Sequence, residues 1–210
     1  KWTTRLQVDS VKKTLCKAVH IASAEVPGPV HVGLPVGISA SEAADEEGQQ
    51  APATGTPAPD PASLDRMAAL FAKARKPILA LGITAMRAGI QALVLNLLET
   101  YQLPVVLTPM AKGMVPEDHP SYAGVLAHAL ADRVGKTHQQ ADLIVGVGYD
   151  PAEVNYEDWM PNVPLLNINH LPAALDQSRY TASCDVVCAL KHGPARLVAR
   201  TLEANTDEDM

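Results

Sequence analysis

Aromatic side chains are scarce in this sequence: one Phe, two Trp and five Tyr among 210 residues, or 4%. Positive charge is also short, with 17 Lys and Arg against 23 Asp and Glu for a net charge of −6. A phosphate-tracking groove needs the opposite balance and a base-stacking platform needs more rings, so nucleic acid is not an expected partner. Cysteine is sparse and odd in number, at Cys16, Cys184 and Cys188, which argues against a disulfide framework and fits a reducing compartment. No run reaches the roughly 18 apolar residues of a membrane span, and the opening KWTTR has no signal-peptide core, so no membrane association is expected and a cytoplasmic location is.

Several catalytic signatures are missing as well. The three-glycine dinucleotide fingerprint is absent, because Gly82 is followed by Gly89 only seven positions on and Gly146-Val147-Gly148 lacks a third glycine. No phosphate-binding loop with GK[ST], no HExxH, no CxxC and no GxSxG elbow occurs. His119 in a proline-rich loop reads as turn chemistry, and His170 at a strand end as an ordinary loop or core histidine. Cys184 and Cys188, four apart on an expected strand, share one face and read as small buried hydrophobes. The residues thus support neither a catalytic set nor a metal site.

What is present is an alternation of helices and apolar strands. Val8, Val11, Leu15, Val19, Ala22 and Val26 recur at helical spacing, and residues 28–35 (GPVHVGLP) read as a short strand bounded by prolines. Residues 39–61 turn to Ala, Pro, Gly, Glu and Gln, too little apolar bulk to offset ordering, and read as a linker. Beyond it, Asp60 or Ser63 caps an expected helix carrying Leu64, Met67, Leu70 and Phe71. Expected strands follow at residues 77–83 (PILALGI), 104–109 (PVVLTP), 142–148 (DLIVGVG), 164–169 (PLLNIN) and 184–190 (CDVVCAL), with helices over 88–101, around 122–134, and 193–204.

Strands that are apolar throughout and separated by helices belong in a parallel sheet covered on both faces. The expected fold is α/β, doubly wound, with a mostly parallel sheet of about six strands. Ligands in such sheets sit at the carboxyl ends of the strands where the order reverses. The candidate cofactor-binding crevice is therefore drawn from Gly82, Thr84, Arg87, Thr108, Lys112, Gly113, Gly148, Tyr149 and Asp150. The loop 110–120 (MAKGMVPEDHP) is long for a compact domain and stiffened by Pro116 and Pro120, as functional or interface loops are.

Taken together, GPVHVGLP (28–35), RKPILALG (75–82), PVVLTPMAKG (104–113), PEDHP (116–120), YAG (122–124) and ADLIVGVGYD (141–150) resemble the thiamine-diphosphate-dependent enzymes of the acetolactate synthase type. The resemblance implies three consecutive α/β domains: pyrimidine-binding, central and diphosphate-binding. It implies that residues 1–38 are the tail of the first, 39–61 a linker, 62–206 the central domain and 207–210 an acidic tail. The family's activating glutamate belongs upstream of Lys1, and its magnesium-anchoring Gly-Asp-Gly does not occur here. The resemblance thus implies a central-domain piece of a 2-oxo-acid decarboxylase or carboligase, with sites for thiamine diphosphate and magnesium lying elsewhere in the parent. Such a piece is expected to be inactive alone, to contact the flanking domains and to form a homo-oligomer.

Flavin-binding members place arginines in a Gly-Ala-Arg-Phe-Asp-Asp-Arg pattern, whereas this chain has Gly148 and Ala152 at those arginine positions and Pro151 at the second aspartate. Without those guanidinium forks FAD is not expected. The alternative from a different class is a stand-alone nucleotide-binding or regulatory module on the same sheet.

Overall fold

The computed structural model describes residues 1–24, 27–42, 58–126, 131–150, 153, 162–173 and 183–193. The chain divides into two compact units, Lys1–Gly55 and Thr56–Met210.

The first unit is a β-α-β arrangement. Strand β1 (Trp2–Arg5) pairs in parallel with β2 (Val30–Gly33), and helix α1 (Val11–Ser23) connects them. The helix is the one that the apolar spacing predicts, whereas β1 has no counterpart in the sequence reading. Lys17 lies over the Trp2 ring at 4.9 Å. The apolar stripe of α1 is left largely uncovered: Leu15 is 44% and Val19 68% exposed, and Leu34 and Val36 beyond β2 are exposed too.

The second unit holds six parallel strands in the order β5-β4-β3-β6-β7-β8. They are β3 (Pro77–Leu81), β4 (Val105–Leu107), β5 (Tyr122–Val125), β6 (Leu143–Val147), β7 (Leu165–Asn169) and β8 (Ser183–Val187). Helices α2 (Pro61–Lys73), α3 (Ile83–Arg87), α4 (Gln91–Tyr101) and α5 (Ala131–Gln139) accompany them. The two faces of the sheet are read by alternate residues, as strand geometry requires. Leu79, Leu81, Val105, Leu107, Val145 and Ile168 join Leu64, Met67 and Phe71 of α2 and Val94, Leu97 and Leu98 of α4. Ile78, Ala80, Val106, Ile144 and Leu165 form the opposite cluster with Val134 of α5 and Tyr149. Each fully buried Leu or Ile in these layers contributes about 1.5–3 kcal/mol over its exposed state.

Local chemistry explains the element ends. Asp60 is the cap of α2: its carboxylate accepts from the Ser63 amide at 2.9 Å and the Ser63 hydroxyl at 2.8 Å, and Pro61 takes the first helical position. Those bonds, the Ser63 hydroxyl foremost, hold the Asp60 carboxyl below its ordinary range. Asp142, just before β6, accepts from the Arg75 amide at 2.8 Å and the Lys76 amide at 2.9 Å, which ties the start of β3 to that of β6. Phe71 and Tyr101 meet edge to face at 5.3 Å.

Two expectations need correction. The helical stretch expected around residues 122–134 begins instead as strand β5, and α5 starts only at Ala131. Gly124 has φ +121, outside the helical region, and Tyr122 and Val125 are strand formers, so the segment pairs with β4 through a register shift at Val105/Val106. The strand expected over residues 77–83 stops at Leu81, and residues 83–87 form the short α3 ahead of α4. The expected helix over 193–204 lies outside the described residues except for Gly193, as does most of the linker.

Candidate functional site

The chain runs β3, β4, β5 outward on one side, then returns to place β6 on the other side of β3. The strand order thus reverses between β3 and β6, and a doubly wound sheet opens its ligand crevice at the carboxyl ends of that pair. Here those ends are held tightly together. The Gly82 amide donates to the Val147 carbonyl at 3.3 Å. A Cβ on Gly82 would stand 2.2 Å from the Gly148 carbonyl oxygen, and one on Gly148 would stand 2.2 Å from the Ala85 amide nitrogen. Gly148 also sits at φ +55, where a side chain is strained. Both glycines are required by close backbone contact.

Of the expected site residues, Gly82, Thr84, Thr108, Gly148, Tyr149 and Asp150 collect at the ends of β3, β4 and β6. Thr84 is buried and accepts from the Arg87 guanidinium at 3.3 Å, while Arg87 itself is exposed. Thr108 is fully buried, and its amide donates to the Leu81 carbonyl at 2.8 Å. Tyr149 turns inward: it is 1% exposed within the second core cluster, and its carbonyl accepts from the Asn169 side chain at 3.3 Å. Its ring is therefore packing, and only Asp150 of that pair faces solvent. Lys112 and Gly113 occupy the loop that follows a single 3₁₀ turn after β4; Lys112 pairs with Glu117 at 3.2 Å, both largely exposed, and Gly113 has open space around it. Lys112 thus gives its charge to its own loop.

Sequence reasoning missed Glu153. Its amide donates to the Asp150 carbonyl at 3.0 Å, which folds the side chain back beneath the strand ends. One carboxyl oxygen accepts from the Ile83 amide at 3.5 Å; the other, Oε2, is buried and has no hydrogen-bond partner among the described residues, as is the case for the Thr108 hydroxyl. Burial pushes the Glu153 carboxyl above its ordinary range; the nearby Thr108 hydroxyl and Ile83 amide oppose this, Asp150 adds to it, and Arg87 opposes it. The available signal was an acidic residue three positions after Asp150, the spacing of a turn. His138 on α5 was missed too: it is fully buried, and burial pushes its pKa down to about 4.

The remaining candidates behave as ordinary structure. His119 Nδ1 accepts from the Ser121 amide at 3.1 Å, a turn contact. Cys184 and Cys188 lie buried in one cluster, and burial raises both thiols. Two surface cavities lie away from the strand carboxyl ends; the larger, about 720 Å³, is bordered by Gln102, Pro104, His119 and Tyr122. Among the described residues no group of three or more metal-ligating side chains occurs and no helix is long and apolar enough to cross a membrane.

A six-stranded parallel sheet whose order reverses at a glycine-clamped seam defines a doubly wound α/β domain. The chain belongs to the thiamine pyrophosphate enzyme family: residues 64–197 match the model of its central domain. It is 30% identical over 169 residues to the acetolactate synthase isozyme 1 large subunit of Escherichia coli K12, covering 77% of this chain and 29% of that protein. It is 28% identical over 140 residues to the glyoxylate carboligase of Escherichia coli O157:H7, covering 66% and 24%. The crystal structure of benzoylformate decarboxylase from Polynucleobacter necessarius shares the fold, with a TM-score of 0.71 at 23% identity over 95% of this chain and 38% of that one. The chain spans less than a third of the length of these two curated relatives.

Proposed function

We propose that the chain serves as the central domain of a thiamine-diphosphate-dependent enzyme that decarboxylates a 2-oxo acid and passes the resulting carbanion equivalent to an acceptor carbonyl. The observation that carries this reading is the match of residues 64–197 to the family's central domain on a sheet with the order 5-4-3-6-7-8. The cofactor supplies the electron sink for decarboxylation when bound. The strand-end crevice offers that group little: a diphosphate wants unengaged cations and open amide donors, whereas Arg87 is bonded to Thr84, Lys112 is paired with Glu117, and Gly82 and Gly148 are packed backbone to backbone. The role left to residues 62–206 is scaffold and domain contact. Residues 1–38 serve as the tail of a pyrimidine-binding domain, 39–61 as the linker and 207–210 as an acidic tail.

The uncovered stripe of Leu15 and Val19 supports a flanking-domain partner, since a soluble unit seldom leaves such a face open. Assembly into a homo-oligomer and a cytoplasmic location complete the proposal. FAD is not a ligand in this reading: Gly148, at the position of a flavoprotein arginine, has the Ala85 backbone where its Cβ would begin. The test is turnover. This chain with thiamine diphosphate and magnesium should release no carbon dioxide from pyruvate, glyoxylate or benzoylformate, and a protein that joins it to its two flanking domains should. Turnover by the chain alone, or none by the joined protein on any 2-oxo acid tried, contradicts the proposal.

A further inference from the structure

We propose that Glu153 is a built-in plug: its carboxyl occupies the place at the β3–β6 strand ends, between the Ile83 amide and the Thr108 hydroxyl, that a doubly wound sheet otherwise offers to the phosphate of a nucleotide. Three observations converge on it. The strand order reverses at this seam, so the crevice belongs here by topology. Of the groups that would receive an anion, the Ile83 amide donates to Glu153 at 3.5 Å, and the fully buried Thr108 hydroxyl is close enough to act on the Glu153 carboxyl. Among the described residues neither the Thr108 hydroxyl nor Glu153 Oε2 has a hydrogen-bond partner, although both are sealed from solvent. Buried polar atoms without partners are uncommon, and two at the same strand ends mark a place kept by the side chain that fills it.

Charge and volume act in the same direction. Among the described residues, the charged groups that act on Glu153 are Asp150 on its own turn and Arg87 on α3. Arg87 is exposed and bonded to Thr84, so an incoming diphosphate meets two carboxyl groups and one committed guanidinium. The crevice cannot widen to admit both, because Gly82 and Gly148 are in backbone contact. The plug therefore excludes anionic ligands from a site whose topology would favour them. This inference concerns the crevice alone and does not rest on the proposed activity.

Calorimetric titration of the whole chain with ADP tests it. The parent should show no saturable heat up to millimolar ADP, and Glu153→Ala should bind at least tenfold more tightly than that limit. Inorganic phosphate should displace the ADP gained by the variant, since the vacated place is a phosphate position. Micromolar ADP binding by the parent, no gain in Glu153→Ala, or gained ADP that phosphate fails to displace would each overturn the plug. Circular dichroism melts establish that the variants fold. If Glu153→Ala does not, Glu153→Ser decides: it also vacates the place and removes the charge, so a threefold or larger gain supports the plug and no gain overturns it.

Discussion

The seam between β3 and β6 and the outer edge at β5 are built from the same parallel pairing but obey different constraints. At the seam, Ile78 to Leu81 and Leu143 to Val147 are buried on both faces and the strand ends meet glycine to glycine. At the edge, all four residues of β5 are only half-buried and the register slips beside Val105. A strand with neighbours on both sides and cover on both faces has no freedom to choose its register. An edge strand is held by one neighbour and by the helix after it. Damage should therefore be severe and steric at the seam, and milder and dependent on pH at the edge.

The largest effect is expected from Gly148→Ala. Its Cβ would collide with the Ala85 amide while the backbone holds φ +55, and roughly 3 kcal/mol or more of stability should be lost. Gly113→Ala is the control: φ is +97 but the space is open, so about 1 kcal/mol is expected. Urea unfolding of both proteins checks the contrast, and equal losses would break it.

The same contrast governs what could be read from the residues. The seam was legible because PILALGI and DLIVGVG are continuous apolar runs, which only a doubly covered strand tolerates, and Gly82, Thr84, Thr108, Gly148 and Asp150 follow from where those runs end. The edge was not: YAGV is too short and too weakly apolar to declare its period, so Tyr122–Val125 reads as the start of the helix that follows it. Trp2–Arg5 was hidden for the same reason, its two threonines carrying no alternation of apolar weight. Tyr149 reads as a site residue because it lies one position past a strand end, yet the chain turns its ring into the core. Glu153 is not legible in the sequence because only the turn at Asp150 folds it back.

The next effect in size belongs to the edge. His138, on the helix that packs against β5, titrates at about 4 in the fold against 6.5 when unfolded. Between those values the unfolded chain holds more protons, so stability is full above pH 6.5 and is lost as pH falls toward 4, by roughly 3 kcal/mol at about 1.4 kcal/mol per unit. His138→Gln should flatten that decline in urea midpoints measured from pH 7.5 to 4.5; an unchanged slope assigns the acid sensitivity elsewhere. Glu153 at the seam has the opposite sign. Its raised carboxyl binds protons more readily in the fold, so its contribution is greatest at low pH and is lost as pH rises from the ordinary carboxyl range through the raised value. Glu153→Gln should thus gain stability relative to the parent as pH rises, and a gain on lowering pH would contradict the burial assigned to it.

A small effect should appear where α4 ends. Gln102 takes the left-handed cap position at φ 52, and its amide donates to the Leu98 carbonyl at 2.8 Å. Gln102→Gly should stabilise the domain by about 0.5–1 kcal/mol, seen as a small rise in Tm, because glycine reaches that conformation without side-chain strain. No rise would mean that the Gln102 side chain contributes packing at the edge that offsets its backbone strain.

In the proposed reading this sheet organises a thiamine-diphosphate enzyme without itself holding the cofactor. Calorimetric titration of the 210-residue chain with thiamine diphosphate in the presence of magnesium addresses it most directly. The account predicts no saturable binding by this chain and saturable binding by a protein that also carries the two flanking domains; micromolar binding by the chain alone would contradict it.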